Sequence, residues 1–447
     1  MKKLLIVLLA LGMVLGFSMS AAATDVSVSG TYRIVGWYDN NSSLNEDSTA
    51  NAFYRQRLRV STVFQVAEGL KLTTRFDALE QRWGEGLPVS QNAGSHGITE
   101  GYSNDSGSVS FEQTQLDFTT PYGLITAGIY DTNTWGLDFG NNSFKVGRIV
   151  WKAPVGPVIV VAGLEKDVER DAKPINGDDY ADADGDAYIL AAVLQQEGLT
   201  AGLLWKYVDY AQYRDLPLSL TTAPFDLTAS VISPYVKATF GPAYVEAQLY
   251  YAWGTMEFED NLSIDDQDLS GMSFIVEGKM DVGPGYVGGL LAYAQGDDPA
   301  TTDETEGSFV NGGWDWNPCL VLFNDDMNYR AGGALGHDTV GVANTDGQMT
   351  NAWLYQIYAG MSPMENLTIR GSLTFAYLDE EKMAGIVYDD DIGHEVDLQA
   401  AYKVFDNLEY SVGFGYFWAG DFYKGDKTNP QNIDDDYLLV HKLQLTF

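Results

Sequence analysis

The sequence has very little cysteine, histidine and basic charge. Of its 447 residues, one is cysteine and four are histidine, and 26 Lys and Arg stand against 62 Asp and Glu, for a formal net charge of −36. A single cysteine excludes a disulfide framework and any zinc site built on several thiolates. The sequence also lacks a C-x-x-C-H motif for haem attachment. The acidic excess argues against nucleic acid as a partner, because phosphates would be repelled.

Residues 1–23 have the pattern of a secretory signal peptide, which is removed from the mature protein. Two lysines precede the apolar stretch 4–15, and three alanines at 21–23 provide a small-residue cleavage site. The apolar stretch is too short to span a bilayer. We therefore expect an exported protein, whose mature chain, 24–447, forms a single domain.

Long apolar runs are also missing from the mature chain. A transmembrane helix needs roughly 18 or more consecutive apolar residues, and no segment after residue 23 has them. Apolar and polar residues instead alternate with period two, the pattern of β-strands that are apolar on one face. In the last segment Leu439, Leu443 and Phe447 share one face, whereas Lys442 lies on the other.

This alternation predicts about 18 strands, joined in turn by tight turns and by long polar connections. The tight set includes 68–69 and 241–242, and the long set includes 84–107 and 297–350. Outer-membrane barrels have short periplasmic turns and long outer loops, and a closed sheet leaves no unpaired backbone edge in lipid. We therefore predict an all-β, transmembrane, up-and-down antiparallel β-barrel. A barrel of 16 strands and a soluble β-sandwich are the alternatives.

Three segments carry a sequence resemblance to a known class: 54–59 (YRQRLR), 124–128 (LITAG) and 437–447 with its terminal Phe. The chain resembles the porins of Gram-negative outer membranes, including porins of sulfate- and metal-reducing bacteria. The terminal Phe, with apolar residues at alternate positions before it, is similar to the signal that barrel-assembly machinery reads. The resemblance implies an outer-membrane location, contact with lipid and lipopolysaccharide, a homotrimer as one assembly, and passive diffusion of small polar solutes or ions without enzymatic activity.

Basic residues on the polar faces of neighbouring strands predict a charged wall in the lumen. They lie on the first three strands and on the last one, which would close beside the first: Arg33, Arg57, Arg59, Lys71, Arg75 and Lys442. Guanidinium groups fixed on a wall order water and anions across a constriction. Alternatively, these side chains only pair with lumenal carboxylates such as Asp77, Asp397 and Glu409 and hold the barrel together.

The connection 297–350 is the candidate for a segment that narrows the lumen. Many porins fold the third outer loop inward, but here that loop, 136–143, is predicted to be too short. A connection as long as 297–350 is usually functional or mobile. Its candidate constriction residues are Asp297, Asp298, Asp303, Glu304, Glu306, Asp315, Asp325 and Asp326. Two arrangements are open: the connection plugs the lumen, or it caps the outer mouth.

One acidic cluster resembles the start of an EF-hand loop. It contains Asp182, Asp184 and Asp186, but Ala187 replaces the glycine of such a loop and Val193 replaces its last glutamate. We therefore expect no cofactor, with a loosely bound Ca²⁺ or Mg²⁺ as the alternative.

Aromatic residues near strand ends are expected to form girdles at the two membrane interfaces. They are Trp37, Tyr38, Trp83, Trp135, Trp151, Trp205, Trp253, Trp353 and Trp418.

The acidic excess also predicts a weak preference for cations, softened by the basic wall. Two other functions stay open, namely a barrel sheath around a separate multihaem cytochrome and a substrate-specific sugar or carboxylate channel.

Overall fold

The computed structural model describes residues 25–41, 44, 49–83, 109–169, 184–211, 225–258, 264–324, 348–383 and 385–447. The predicted signal peptide and three of the acidic candidates, Asp182, Asp325 and Asp326, lie outside these residues. Among the described residues, no helix is long and apolar enough to cross a membrane.

Eighteen antiparallel strands, each hydrogen-bonded to its neighbours along the chain, form a closed barrel. The strands are β1 (Asp25–Asp39), β2 (Asn51–Ala67), β3 (Leu70–Arg82), β4 (Val109–Thr120), β5 (Gly123–Asp131), β6 (Lys145–Val155), β7 (Val158–Val168), β8 (Gly185–Gln196), β9 (Leu199–Tyr210), β10 (Phe225–Phe240), β11 (Ala243–Phe258), β12 (Gln267–Val282), β13 (Gly285–Ala294), β14 (Ala352–Met364), β15 (Leu367–Leu378), β16 (Asp391–Phe405), β17 (Leu408–Ala419) and β18 (Asp436–Thr446). β1 pairs with β18, from Thr31 opposite Thr446 to Asp39 opposite Leu438, and this pairing closes the sheet. The predicted fold class is confirmed.

The smaller elements lie in the long connections. Glu304–Thr305 runs parallel to the start of β12, Lys382–Met383 pairs with Ile386–Val387, and a 3₁₀ helix covers Asp421–Lys424.

The connections at one end of the barrel are the predicted tight turns, and each of them has two residues. Gly198 and Gly241 take φ of 72° and 59° in two of these turns, a backbone conformation that glycine adopts without steric cost. β5 ends at Asp131, and β9 ends at Tyr210. After Asp131 the chain turns at Asn133, where φ is 48°.

Alternation along each strand separates an apolar exterior from the barrel interior. On β1, Val26 and Val28 are 53 % and 56 % exposed, whereas Val35 and Trp37, at the other parity, are buried. The exposed parity is the face that lipid covers in a membrane barrel.

The residues expected in the aromatic girdles differ in their exposure. Trp83, Trp205, Trp253 and Trp418 are exposed on the barrel surface. For Trp37 the prediction is wrong, because its odd position on β1 turns it inward, where it is 4 % exposed.

The interior has an apolar half. Inward side chains of β1 and β11–β18 join side chains of the long connections in one hydrophobic core. Ile275 and Leu354 are strand members of this core, and Phe139 and Trp316 come from two different connections. The connections therefore contribute to the packing of the interior as well as joining strands.

Candidate functional site

The third outer connection, 132–144, folds into the barrel. Leu137 and Phe139 are buried in the interior core. The backbone N–H of Leu137 donates to Oε1 of Gln248 on β11 at 2.7 Å. The expectation that this connection is too short to fold inward is therefore wrong. A short connection is sufficient, because its apolar side chains pack directly on inward side chains of β11 such as Tyr250.

Local backbone geometry makes this connection compact. Gly136 and Gly140 have φ of 70° and 75°, and a Cβ at either position would collide with a tyrosine ring of the opposite wall. Trp135 donates from its indole N–H to the backbone oxygen of Ser233 on β10 at 2.8 Å. Trp135, expected in a membrane girdle, thus lies in the interior instead.

The long connection supplies a second insertion, 309–324, which we call the inner segment. Its Val310, Trp316 and Val321 belong to the interior core. Trp316 meets Phe139 edge to face, with ring centroids 5.0 Å apart, so the two insertions pack on each other. The described residues of the long connection therefore pack against the inner wall of the barrel.

A buried carboxylate on β16 holds the inner segment. Glu395 is fully buried and accepts hydrogen bonds from the backbone N–H groups of Leu320, Val321 and Leu322 at 3.0, 2.9 and 2.7 Å. Gly415 on the adjacent strand leaves room for this contact, because a Cβ there would lie 3.1 Å from both Glu395 Oε1 and Leu320 Cβ.

A second anchor is Gln356 on β14. Its Nε2 donates to the backbone oxygen of Pro318 and to Oγ1 of Thr374, each at 2.9 Å, and its Oε1 accepts from Arg370 at 3.1 Å. Two strands therefore hold adjacent residues of the inner segment through side chains that are themselves buried.

The acidic candidates before the inner segment lie by the outer end of β12. The carboxylate of Asp297 accepts from the Glu306 backbone N–H at 2.8 Å, and Glu306 accepts from the Asp298 N–H at 3.0 Å. Asp303 accepts through its backbone oxygen from the N–H of Asp268, and Glu304 pairs with Asp268 in the short parallel ladder.

Asp315 lies further along, within the inner segment. Its Oδ2 accepts from the backbone N–H of Ser143 at 3.2 Å and also from the Ser143 hydroxyl, so it joins the two insertions. Burial raises the pKa of the Asp315 carboxyl above its usual value. Burial raises the pKa of the nearby Cys319 thiol well above its usual range, and the negative charges of Glu395 and Asp397 act in the same direction.

The predicted basic wall is brought together on β1–β3. Arg59 binds Asp77 with two hydrogen bonds of 2.7 Å, from Nε to Oδ1 and from Nη2 to Oδ2. Arg33 and Arg57 both lie 3.7 Å from the same oxygen of Glu80. Paired guanidinium groups of this kind have fixed positions on the wall.

The other predicted members have partners on neighbouring strands. Arg75 binds Asp131 through both terminal nitrogens at 2.9 and 3.2 Å, and Lys71 lies 3.0 Å from Asp117. Lys442 faces inward on β18, opposite Val35. The carboxylates that meet this wall thus come from the wall itself, as in the alternative that named Asp77, and not from the long acidic connection.

The charged wall extends further than predicted, across β4, β6, β7 and β9. Glu165 is fully buried and lies 2.9 Å from Arg148 and 2.7 Å from Lys206, while Lys145 lies 3.1 Å from Glu112. The parity of these residues on strands with otherwise apolar alternation is a signal that could have found them.

Two described members of the candidate metal cluster bind a lysine. Nζ of Lys166 lies 2.6 Å from Asp184 and 2.8 Å from Asp186, so an ammonium group stands where a cation would bind. Within the described part of the chain, no three His, Cys, Asp or Glu side chains are grouped closely enough to hold a metal ion.

Comparison with solved structures agrees with this architecture. OccK9 (OpdG) of Pseudomonas aeruginosa superposes with a TM-score of 0.54 at 12 % identity, over 95 % of this chain and 99 % of that chain. OccK8 (OprE) of the same species gives 0.53 at 11 % identity, over 95 % and 98 %. A BenF-like porin of Pseudomonas fluorescens Pf-5 gives 0.51 at 12 % identity, over 95 % and 99 %.

The fold is that of outer-membrane porins. Its closed sheet and apolar exterior suit a lipid bilayer. No protein-family model and no curated protein matches the sequence.

Proposed function

We propose that the protein is an outer-membrane channel for passive diffusion of small polar solutes and ions. The observation that carries the proposal is the division of the interior: charged pairs cover β1–β9, whereas the two insertions pack into the apolar half, in which charged side chains remain on β11–β15 toward the two-residue turns. Charged and hydrogen-bonding wall groups favour water, so the aqueous path would follow the charged wall and be narrowed by the insertions.

An enzyme is less well supported. The described histidines, His394 and His441, lie among the outer aromatic side chains, stacked on Trp418 and placed beside Tyr54 respectively. A general base would have to reach a substrate in the lumen, and these two face away from it.

A sheath around a multihaem cytochrome is also less well supported, because the insertions occupy space that an enclosed partner would need. Co-purification of a haem-stained band with the barrel would favour this alternative.

We further propose contact with lipid and lipopolysaccharide at the apolar exterior, and a homotrimer as the assembly. A loosely bound Ca²⁺ or Mg²⁺ at Asp184 and Asp186 would have to displace the ammonium group of Lys166.

Single-channel recording of the purified, folded barrel in a planar bilayer, with a salt gradient, tests the channel proposal. We expect stable ohmic steps and a reversal potential that reports a weak preference for cations, because the chain carries a formal net charge of −36. A silent barrel would contradict the channel, and a clear anion preference would contradict the selectivity.

A further inference from the structure

A cluster of aromatic and charged side chains lies on the inner wall of β11–β15, nearer to the two-residue turns than the inner segment is. We call it the tyrosine patch. Its members are Tyr244, Glu246, Glu277, Lys279, Tyr286, Tyr358 and Arg370. Register places them on one face: Tyr244 is opposite Lys279, Lys279 is opposite Gly288, and Gly288 is opposite Tyr358. This face is the interior one, because Lys279 has the same parity as the buried Ile275.

Two of the rings contact the wall at glycines. A Cβ on Gly288 would come within 2.3 Å of the Tyr358 ring, and a Cβ on Gly360 would come within 2.4 Å of the Tyr286 ring. The ring centroids are 6.1 Å apart. The two ring planes are inclined to each other by 68°, and the guanidinium of Arg370 lies over the Tyr358 ring, so Tyr286 is the ring against which apolar C–H groups of a solute can pack.

The charges of the patch are balanced. Glu246 accepts from the hydroxyl of Tyr244, and Glu277 accepts from the hydroxyl of Tyr358. Lys279 lies 5.6 Å from the centroid of the Tyr286 ring, and Arg370 lies 4.6 Å from that of Tyr358. Among the residues that the structure describes, neither cation has a carboxylate at ion-pair distance, so their N–H groups remain available to a solute.

This combination of aromatic rings and balanced charges favours one chemical class of solute. A solute with a strong net charge would be attracted by one pair of charges and repelled by the other. Hydroxyl groups both donate and accept, so they match neighbouring cations and carboxylates together. An aromatic ring beside donors and acceptors of both charges therefore suits a neutral, polyhydroxylated solute.

We propose that the tyrosine patch is a binding subsite for a small neutral carbohydrate. The proposal rests on the proposed channel function and names its solute class. The subsite adjoins the inner segment, because Arg370 donates to Gln356, which in turn donates to the backbone oxygen of Pro318. A bound solute would lie directly beside the segment that narrows the lumen.

The test is block of the ion current through the full-length mature barrel by maltotriose, added to each side of the bilayer in turn. We expect saturable block, and weaker block by succinate. Tyr286→Ala should raise the half-blocking concentration on the order of tenfold, because one ring face is lost. Lys279→Met, which removes donors but keeps the aliphatic chain, should raise it as well.

Tyr251→Ala is the matched control, since Tyr251 is on the outward face of β11 and is 43 % exposed. It should leave the block unchanged. Calorimetric titration of the detergent-solubilised barrel with maltotriose provides a readout that does not need conduction.

Heat of binding by a silent barrel would support the subsite and contradict the channel, whereas open channels that neither bind maltotriose nor are blocked by it would overturn the subsite alone. Stronger block by succinate, or block that is insensitive to Tyr286→Ala in a barrel that folds, would also overturn it.

Discussion

At the scale of single residues, Glu395 is the side chain that holds the inner segment through several hydrogen bonds. A carboxylate buried in a strand is stabilised only by strong partners, and here these are three successive backbone N–H groups of the inner segment. The contact also satisfies the inner segment, because those N–H groups would otherwise be buried without an acceptor.

Glu395→Gln should loosen the inner segment. An amide has one acceptor oxygen, and its NH₂ group would face N–H donors, so we expect a loss of about 2–3 kcal/mol in the free energy of unfolding. Cys319, the single cysteine and only 2 % exposed, reports on the segment. Its reaction with a maleimide should be slow in the native barrel and markedly faster in the variant.

Glu409→Gln is the control for this prediction, since Glu409 is on β17 and faces Lys403 and Gln444 in the sheet register. Equal labelling rates in the native barrel and the Glu395 variant would show that the carboxylate does not hold the segment.

Asp315 should make the free energy of unfolding depend on pH. Its folded pKa is raised by burial, so the stability contributed by its protonation is complete below the unfolded pKa, about 3.9, and is lost as the pH rises through the folded pKa. Asp315→Asn stays neutral and keeps an acceptor for Ser143. Its stability relative to the native barrel, measured by urea unfolding, should therefore increase from pH 4 to pH 7; a constant difference would contradict the assignment.

At the scale of elements, the connection 132–144 and the inner segment behave as a packed pair. Their contact is aromatic, between Phe139 and Trp316, and Tyr250 of β11 completes it with a ring centroid 6.4 Å from that of Phe139. Neither connection has regular secondary structure, so burial of these rings supplies much of their order.

Phe139→Ala should weaken the packing between the connection 132–144 and the inner segment. Removing a fully buried phenylalanine costs about 3–5 kcal/mol, and we expect a lower urea midpoint together with larger, noisier single-channel steps. Phe111→Ala is the matched control, because Phe111 is 73 % exposed on the outer face. If both variants behaved alike, the packing of the third connection would have no part in the width of the channel.

At the scale of the whole molecule, the barrel combines a lipid-facing exterior with an interior divided between apolar packing and paired charge. The apolar half contains the inner segment, so the free cross-section of the barrel depends on whether that segment stays in place.

Deletion of 300–345 removes the inner segment and should raise the single-channel conductance several-fold. Deletion of 428–430, an exposed tip of the connection between β17 and β18, should leave it unchanged. Unchanged conductance in the first deletion would contradict a narrowing role of the segment.

Local pattern by itself determined the strands, their alternation with short and long connections, and the closed barrel. A period-two pattern depends only on neighbouring residues, and lipid requires closure of any sheet that it surrounds. The same parity turns Arg59 and Arg75 inward, and it holds equally for Arg148, Glu165 and Lys206.

Only the tertiary structure decided which connections enter the lumen and which groups the charged residues meet. Leu137 and Phe139 have no periodicity that marks them as core, and their burial depends on Trp316, far along the chain. The contact of Glu395 with backbone N–H groups of residues 320–322 likewise has no sequence signature, because every residue except proline carries such a donor.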